Sequence, residues 1–437
     1  MIDAIDRYFG EYFSKTHALF LSYLLNATRA GHLCVYIDKE KIFPSMGELD
    51  HELIEQANTL PDLPIVVKQG NRWYLKRSWD AEQTFEYHVA RLMGQKLEPI
   101  GYNGDLSGEQ KIAVEHVLNH PLTIVCGGPG TGKTYTAASL IKQFPGSVLV
   151  AAPTGKAAAN LRIALPECVV TTLHAMLRSE LVADLIVIDE GSMIDAEMMA
   201  KLFAAVPTGS RLVMFGDPNQ LPPVEAGSLF NDLAQFSSVY LTKCLRTELK
   251  TIVDISEAVK KGEMVPFKPL PKLKEAIELI QRSKGVFLTP LRKGIYGVDY
   301  LNQSVYQGGC HVPIMITKND EQMDLYNGDV GVLEGDVACF GSRKIEHHLL
   351  PPYTYAYVLS VHKSQGSEYD DVNIFLPEGS ERFGREMLYT AVTRAKKSVT
   401  IYAAENVLEK VLSQKTHRLS NFSMPSELIE EGSCTCS

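Results

Sequence analysis

The sequence predicts an α/β protein built on parallel sheets, and three observations carry that expectation. Short apolar runs recur from residue 122 to residue 402, each followed by a polar loop or a helical stretch. Glycine-rich and paired-acid signatures stand directly after those runs, where the strand ends of an open parallel sheet gather ligand groups. The stretch Leu122–Thr134, LTIVCGGPGTGKT, joins both features, as a buried strand, a glycine loop and a helix start.

At 437 residues the chain is too long for one ordinary core and should divide into two to four domains. Hydrophobic content of 45% and charged content of 22% describe a globular protein. The longest apolar stretch, around Leu19–Leu25, is interrupted by Ser22 and flanked by Lys15 and Arg29. It is too short for a membrane span and lacks a signal-peptide cleavage pattern, so no membrane and a cytoplasmic location are expected. Eight cysteines are scattered from Cys34 to Cys436 without a C-x-x-C pair, which suggests neither a disulfide framework nor a metal or iron–sulfur site. Cys434 and Cys436 read as part of a frayed tail. The net charge of −9 gives no general pull toward nucleic acid, so any such contact needs a local basic groove or a partner chain.

Residues 1–100 read as a small, mostly helical N-terminal accessory domain. Tyr12–Arg29, Glu48–Asn58 and Ala81–Met93 have helical patterning, and Ile65–Val67 with Arg72–Leu75 suggests a hairpin turning at Gly70 and Asn71. Glycine, proline and asparagine cluster in a linker over 94–107. Ser107 then caps a helix from Gly108, with Gln110 in its first turn. A glutamine amide donates and accepts at once, which matches the N6 and N7 edge of adenine. Taken alone, Gln110 reads as an exposed helical glutamine before it reads as a base reader.

Residues 101–236 form the first α/β domain. Gly127, Gly132, Lys133 and Thr134 fill the pattern G-x-x-x-x-G-K-[ST], with Gly128, Pro129, Gly130 and Thr131 between them. Such a loop points backbone N–H groups at phosphate oxygens and adds the positive end of a helix dipole. Lys133 would reach the β- and γ-phosphates, and the Thr134 hydroxyl would hold Mg²⁺. A second strand, Ser147–Ala152, runs into Pro153-Thr154-Gly155-Lys156, and Thr171, Thr172 and His174 precede a short helix. Asp184–Ile188 runs apolar into Asp189 and Glu190, where one carboxylate would hold the magnesium shell and the other would orient the attacking water. Leu212–Gly216 is a further strand, leading into Asp217-Pro218-Asn219-Gln220.

Residues 237–437 repeat the grammar without a second phosphate loop. Strands are expected at Gly285–Thr289, Pro313–Thr317, Tyr357–Val361, Val372–Leu376 and Ser398–Tyr402. A small β insertion is expected at about 328–354, where short β-like pieces alternate with Gly-Asp and Gly-Ser turns. Arg394 falls where a helix could present it across an interdomain cleft, and without context it reads as an ordinary solvated arginine.

The ordered series GGPGTGKT (127–134), APTGKAA (152–158), TTLH (171–174), IDEGSM (188–193), GDPNQLPPVEAG (216–227), VHKSQGSEYDDV (361–372) and LYTAVTRAK (388–396) resembles the motif set of superfamily 1 helicases. It is most similar to the RecD type, the α subunit of exodeoxyribonuclease V, through TLH, KNDEQMDLYNGDVG (318–331) and VHKSQGSE. The resemblance covers about residues 106–404. It implies two RecA-like P-loop domains that clamp ATP and move 5′ to 3′ along single-stranded DNA. Position by position it implies that Gln110 reads adenine and that Gln220 senses the γ-phosphate and the water. Arg246 and Arg394 would reach across the cleft to the γ-phosphate. DNA contacts are implied at Thr154, Lys156, His174, His362, Lys363 and Ser364.

Four departures from that pattern stand out. Leu245 occupies a position that is often aromatic beside Arg246, and Gly191 replaces the usual alanine after the paired acids. The β insertion is short. The N-terminal region lacks a long helix-hairpin-helix extension, which favours a subunit docking onto larger RecB- and RecC-like partners. The expectation is an ATP-dependent 5′-to-3′ DNA helicase motor of a repair helicase–nuclease complex, without a nuclease centre of its own. A stand-alone P-loop ATPase or kinase, and a structural subunit with a vestigial nucleotide site, are the rival readings.

Overall fold

Short apolar runs separated by turn residues build four sheets in the computed structural model, which describes residues 2–236, 238–244, 250–306, 311–320, 322–416 and 418–422. Arg246, Leu245, Cys434 and Cys436 lie outside the described residues.

The N-terminal unit opens with α1 (Ala4–Phe13), capped by the Asp3 carboxylate, and α2 (Ala18–Arg29). The expected single helix over Tyr12–Arg29 is therefore two, broken at a turn where Ser14 Oγ and His17 Nδ1 lie 3.1 Å apart. Next come β1 (Cys34–Asp38), β2 (Lys41–Phe43), α3 (Asp50–Thr59), β3 (Val66–Gln69) and β4 (Arg72–Leu75). They form an antiparallel sheet in the order β2-β1-β4-β3, with the expected β3–β4 hairpin at one edge. The unit is thus α+β rather than mostly helical. β1 and β2 escape a periodicity search because they are short and β1 shows no clean alternation of buried and exposed residues. α4 (Lys76–Met93) starts before the expected Ala81 and buries Phe85, Val89 and Leu92 in the core of the next unit.

The first lobe contains α5 (Gly108–Asn119), β5 (Leu122–Gly127), α6 (Lys133–Gln143), β6 (Val148–Ala152), α7 (Gly155–Ala164), β7 (Val170–Thr172) and α8 (Leu173–Met176). β8 (Leu185–Ile188), α9 (Ala196–Ala205), β9 (Arg211–Gly216), α10 (Leu229–Phe236) and β10 (Ser238–Leu241) complete it. Its six strands are all parallel, in the order β10-β5-β9-β8-β6-β7. β5, β8 and β9 are buried along their whole length, as central parallel strands with both faces covered must be. α4 packs against α9 here: Phe85 and Phe203 rings meet edge to face at 4.9 Å, and Arg91 donates to the Phe203 and Val206 carbonyls.

The second lobe runs through α11 (Lys250–Lys261), β11 (Lys268–Pro269), α12 (Leu273–Arg282), β12 (Val286–Thr289) and α13 (Val298–Val305). An antiparallel sheet follows, of β13 (Val312–Ile316), β14 (Val330–Glu334), β15 (Val337–Phe340), β16 (Arg343–Glu346) and β17 (Tyr353–Tyr355). The lobe closes with β18 (Val358–Ser360), β19 (Tyr369–Leu376), α14 (Gly384–Val392), β20 (Ala395–Ala403) and α15 (Glu405–Ser413). Its parallel sheet has the order β11-β20-β19-β12-β18. The Pro313–Thr317 run, expected among the parallel strands, is β13, which pairs antiparallel with β14 and β17. The β insertion therefore begins near Val312 rather than 328, because an apolar run alone does not reveal which sheet takes it up.

After α15 the chain returns to the first lobe. Phe422 packs on Phe85 and Phe236, and the Asn421 amide donates to buried Glu82. Phe85→Ala should destabilise the protein by about 3–5 kcal/mol in chemical denaturation, as large aromatic truncations in packed cores do. Tyr12→Ala, on the exposed face of α1, should stay within about 0.5 kcal/mol of wild type.

Candidate active site

The strand β5 delivers its glycine loop to the edge of the first sheet, and α6 begins at Lys133 with Gly132 in the left-handed region at φ 83°. A side chain at that position would strain the turn that aims the loop amides inward. The Lys133 amine is folded onto the loop itself, donating to the Gly127 carbonyl at 2.6 Å and the Gly128 carbonyl at 3.0 Å. Thr131 Oγ1 donates to Gly128 O, and Thr134 is exposed at the helix start.

At the end of β8, Asp189 accepts from the Glu190 amide at 2.9 Å. Burial, and then the neighbouring Glu190 carboxylate, push the Asp189 carboxyl up to about 6. Glu190 adopts φ 53°, a conformation that a non-glycine residue adopts at a cost of about 1–3 kcal/mol and that clusters at functional sites. Two adjacent carboxylates at a strand end, one of them pushed toward its neutral form, are a donor set that fits a divalent cation. Gly191, which replaces the usual alanine, has a packing reason: a Cβ there would lie 2.9 Å from the Phe230 ring, which also covers Gly216.

Gln220 follows β9, is buried, and its Oε1 has no partner among the described residues. From the second lobe, Arg394 stands just past the end of α14 rather than on the helix. Its guanidinium donates to Thr390 O at 3.1 Å, Ser367 O at 3.3 Å and Thr393 Oγ1 at 3.2 Å. Lys133, Thr134, Asp189, Glu190, Gln220 and Arg394 all line one cleft of about 830 Å³. That volume falls within the roughly 300–1,000 Å³ of small-molecule sites.

Gln110 lies on α5, with a buried Nε2 that has no partner among the described residues. Its neighbour Glu109 accepts from the Thr242 and Lys243 amides, which fixes the chain just before the segment holding Arg246. A second cavity of about 340 Å³, lined by Pro129, Asn219, Thr242, Cys244 and Lys260, adjoins the glycine loop.

The residues expected at DNA are distributed less uniformly. Thr154 caps α7 by accepting from the Ala157 amide, and His174 is exposed on α8. Lys156 is half-buried and held: its amine donates to Gly328 O at 2.9 Å, and desolvation lowers its pKa. Lys363 is exposed and reaches Asn327 Oδ1, whereas burial, and then Arg418, depress the half-buried His362. Ser364 is fully buried and donates to Val361 O, so its hydroxyl supports the turn instead of extending from it.

Sequence reading missed the bridges between the lobes. Asn160 Nδ2 donates to Gly366 O at 2.7 Å, and Arg162 Nη1 to the Tyr326 hydroxyl at 2.8 Å. Tyr389 and Thr390 bond Asp217 and Leu221. Both tyrosines sit inside the quoted motifs, but nothing in their spacing assigns them a partner on the other lobe.

Residues 105–283 match the family model of an AAA domain, and residues 355–402 that of the UvrD-like helicase C-terminal domain. The chain is 30% identical to the RecBCD enzyme subunit RecD of Mycolicibacterium smegmatis, over 81% of this chain and 82% of that protein. It is 30% identical to the ATP-dependent RecD2 DNA helicase of Deinococcus radiodurans, over 67% of this chain and 48% of that one. The crystal structure of Bacteroides Pif1 bound to ssDNA has the same fold, with a TM-score of 0.50 and 18% identity over 70% of this chain and 94% of that one. Lys133→Ala should abolish ATP turnover, read as phosphate release, while circular dichroism and Tm stay at wild type. Turnover at the wild-type rate would remove Lys133 from the site.

Proposed function

We propose, because the chain belongs to the RecD family of ATP-dependent DNA helicases, that it is a 5′-to-3′ motor on single-stranded DNA. We further propose that it works in a recombination and double-strand-break repair helicase–nuclease complex with RecB- and RecC-like subunits. The observation that supports the motor reading is the single cleft lined from one lobe by Lys133, Asp189, Glu190 and Gln220 and from the other by Arg394.

In this reading ATP is the substrate. The glycine-loop amides and Lys133 hold its β- and γ-phosphates, and Gln110 reads the adenine edge. Mg²⁺ would be held by Thr134 and Asp189 and would neutralise phosphate charge when bound. Glu190 orients the attacking water and takes its proton, with Gln220 beside it. Arg394, and Arg246 with it, stabilise the charge that develops as the γ-phosphoryl leaves. Such arginines contribute about 10³–10⁵ in rate. An effect of that size decides the mechanism, because hydrolysis stalls whenever the lobes part and cleft motion is thereby tied to nucleotide state. Thr154, His174, His362 and Lys363 serve the strand through hydroxyl, ring and amine contacts.

Unwinding of duplexes bearing 5′ or 3′ tails, with and without the partner subunits, tests the direction: only 5′-tailed duplexes should open. Arg394→Ala should bind nucleotide with near-native affinity and hydrolyse it at least about a hundredfold more slowly. Loss of nucleotide binding in that variant would assign Arg394 a different role.

A further inference from the structure

The loop that carries Gln220 belongs by sequence to the first lobe but is held by the second. Its first residue, Asp217, accepts at Oδ2 from the Tyr389 hydroxyl at 2.6 Å. At its far end, the Leu221 amide donates to Thr390 Oγ1 at 2.7 Å, and the Leu221 carbonyl accepts from Gln365 Nε2 at 3.3 Å. The Leu221 side chain is buried in the apolar core of the second lobe, with Val361 and Leu388. Gln220 lies between these two anchors, and its own amide donates back to Asp217 O at 3.2 Å.

The two hydroxyls that hold the loop, of Tyr389 and Thr390, are consecutive on α14, the helix that leads into Arg394. The arginine is tied to the same helix turn, since its Nε donates to Thr390 O at 3.1 Å. Tyr389, Thr390 and Asp217 are each at most 1% exposed, so water does not compete for these bonds. The Tyr389 hydroxyl also sits against the phosphate loop: a Cβ on Gly128 would lie 3.2 Å from it.

We propose that Tyr389 and Thr390 are positioning residues that register Gln220 of the first lobe to Arg394 of the second. This rests on the reading of the cleft as an ATP-hydrolysing site. One helix turn thereby sets both the group beside the attacking water and the group at the γ-phosphate. When the second lobe swings away, the bonds to Asp217 and Leu221 break together, and the loop loses its alignment at the moment the arginine withdraws. Neither side chain lines the cleft, so both act through Gln220.

Steady-state ATP hydrolysis by the full chain with saturating oligo-dT, for Tyr389→Phe, Thr390→Val and Thr390→Ser, tests this. Tyr389→Phe and Thr390→Val should each lower kcat about tenfold, the scale of a lost buried hydrogen bond. The KM for ATP should stay within about threefold, the split expected when an interaction matters in the transition state alone. Thr390→Ser keeps the hydroxyl and should turn over like wild type, and Asp217→Asn combined with Tyr389→Phe should lose no more than the worse single variant. Should Tyr389→Phe fail to fold, the Thr390 pair decides alone. Wild-type kcat in both Tyr389→Phe and Thr390→Val, or a loss confined to KM, overturns the proposal. A wild-type chain whose hydrolysis ignores oligo-dT would instead overturn the motor reading alone, since the inference rests on the hydrolytic site.

Discussion

A triphosphate site divided between two sheets depends on contacts across the divide that align it and still break. The contacts here meet both demands by being polar and few. Asn160 to Gly366, Lys156 to Gly328, Leu221 to Thr390 and Tyr389 to Asp217 are single hydrogen bonds. A typical bond of this kind contributes about 0.5–1.5 kcal/mol net, more where a charged group takes part. The apolar cores of the lobes remain separate clusters, with Leu221 as a side chain from the first lobe buried in the second. An interface made this way opens without exposing a large apolar surface, which is the property of a cleft built to cycle rather than to stay shut.

Electrostatics inside the cleft follow from the same division. Lys133 spends its hydrogen bonds on two carbonyls of its own loop, and Asp189 is pushed up to about 6 by burial and by Glu190. Lys133 therefore faces dipoles at its hydrogen-bonding distance, and its charge offsets only part of the upward push on Asp189. The cleft thus brings a lysine and a carboxylate pair together without pairing them by a hydrogen bond among the described residues. The net charge of −9 leaves any attraction for a nucleic acid to local groups, and of the residues expected at DNA, His174 and Lys363 are the exposed ones. Lys156, also expected there, is half-buried and spent on the Gly328 carbonyl just before β14.

What the sequence made legible was whatever is local. The phosphate loop, the paired acids and the strands β5, β8 and β9 all lie in continuous stretches whose residue types are dictated by backbone geometry or by burial on both faces. The misreadings are non-local. β13 looks like any buried strand until its partners β14 and β17 are known. α4 looks like an accessory helix until Phe85 meets Phe203, more than a hundred residues away. Lys156 looks like a free cation because the carbonyl it reaches belongs to Gly328. The family resemblance implied a cross-cleft place for Arg394 but could not show that Tyr389, five residues earlier, holds the opposite lobe.

The C-terminal return adds the last constraint on lobe motion. Arg418 donates to the carbonyls of Pro223, Glu225 and Gly227 at 2.6, 2.8 and 3.1 Å, while Phe422 anchors the end of the described chain in the first lobe's core. Three carbonyls on one guanidinium fix the backbone of 223–227 from a segment that leaves α15 of the second lobe. The stretch from Asp217 to Gly227 is therefore held at its start by α14 and at its end by the return segment. The chain also crosses between lobes twice, after β10 and after α15. A rotation that leaves Arg418 in place while withdrawing α14 moves the Asp217–Leu221 end of the loop and spares the Pro223–Gly227 end. Gln220 lies on the end that moves.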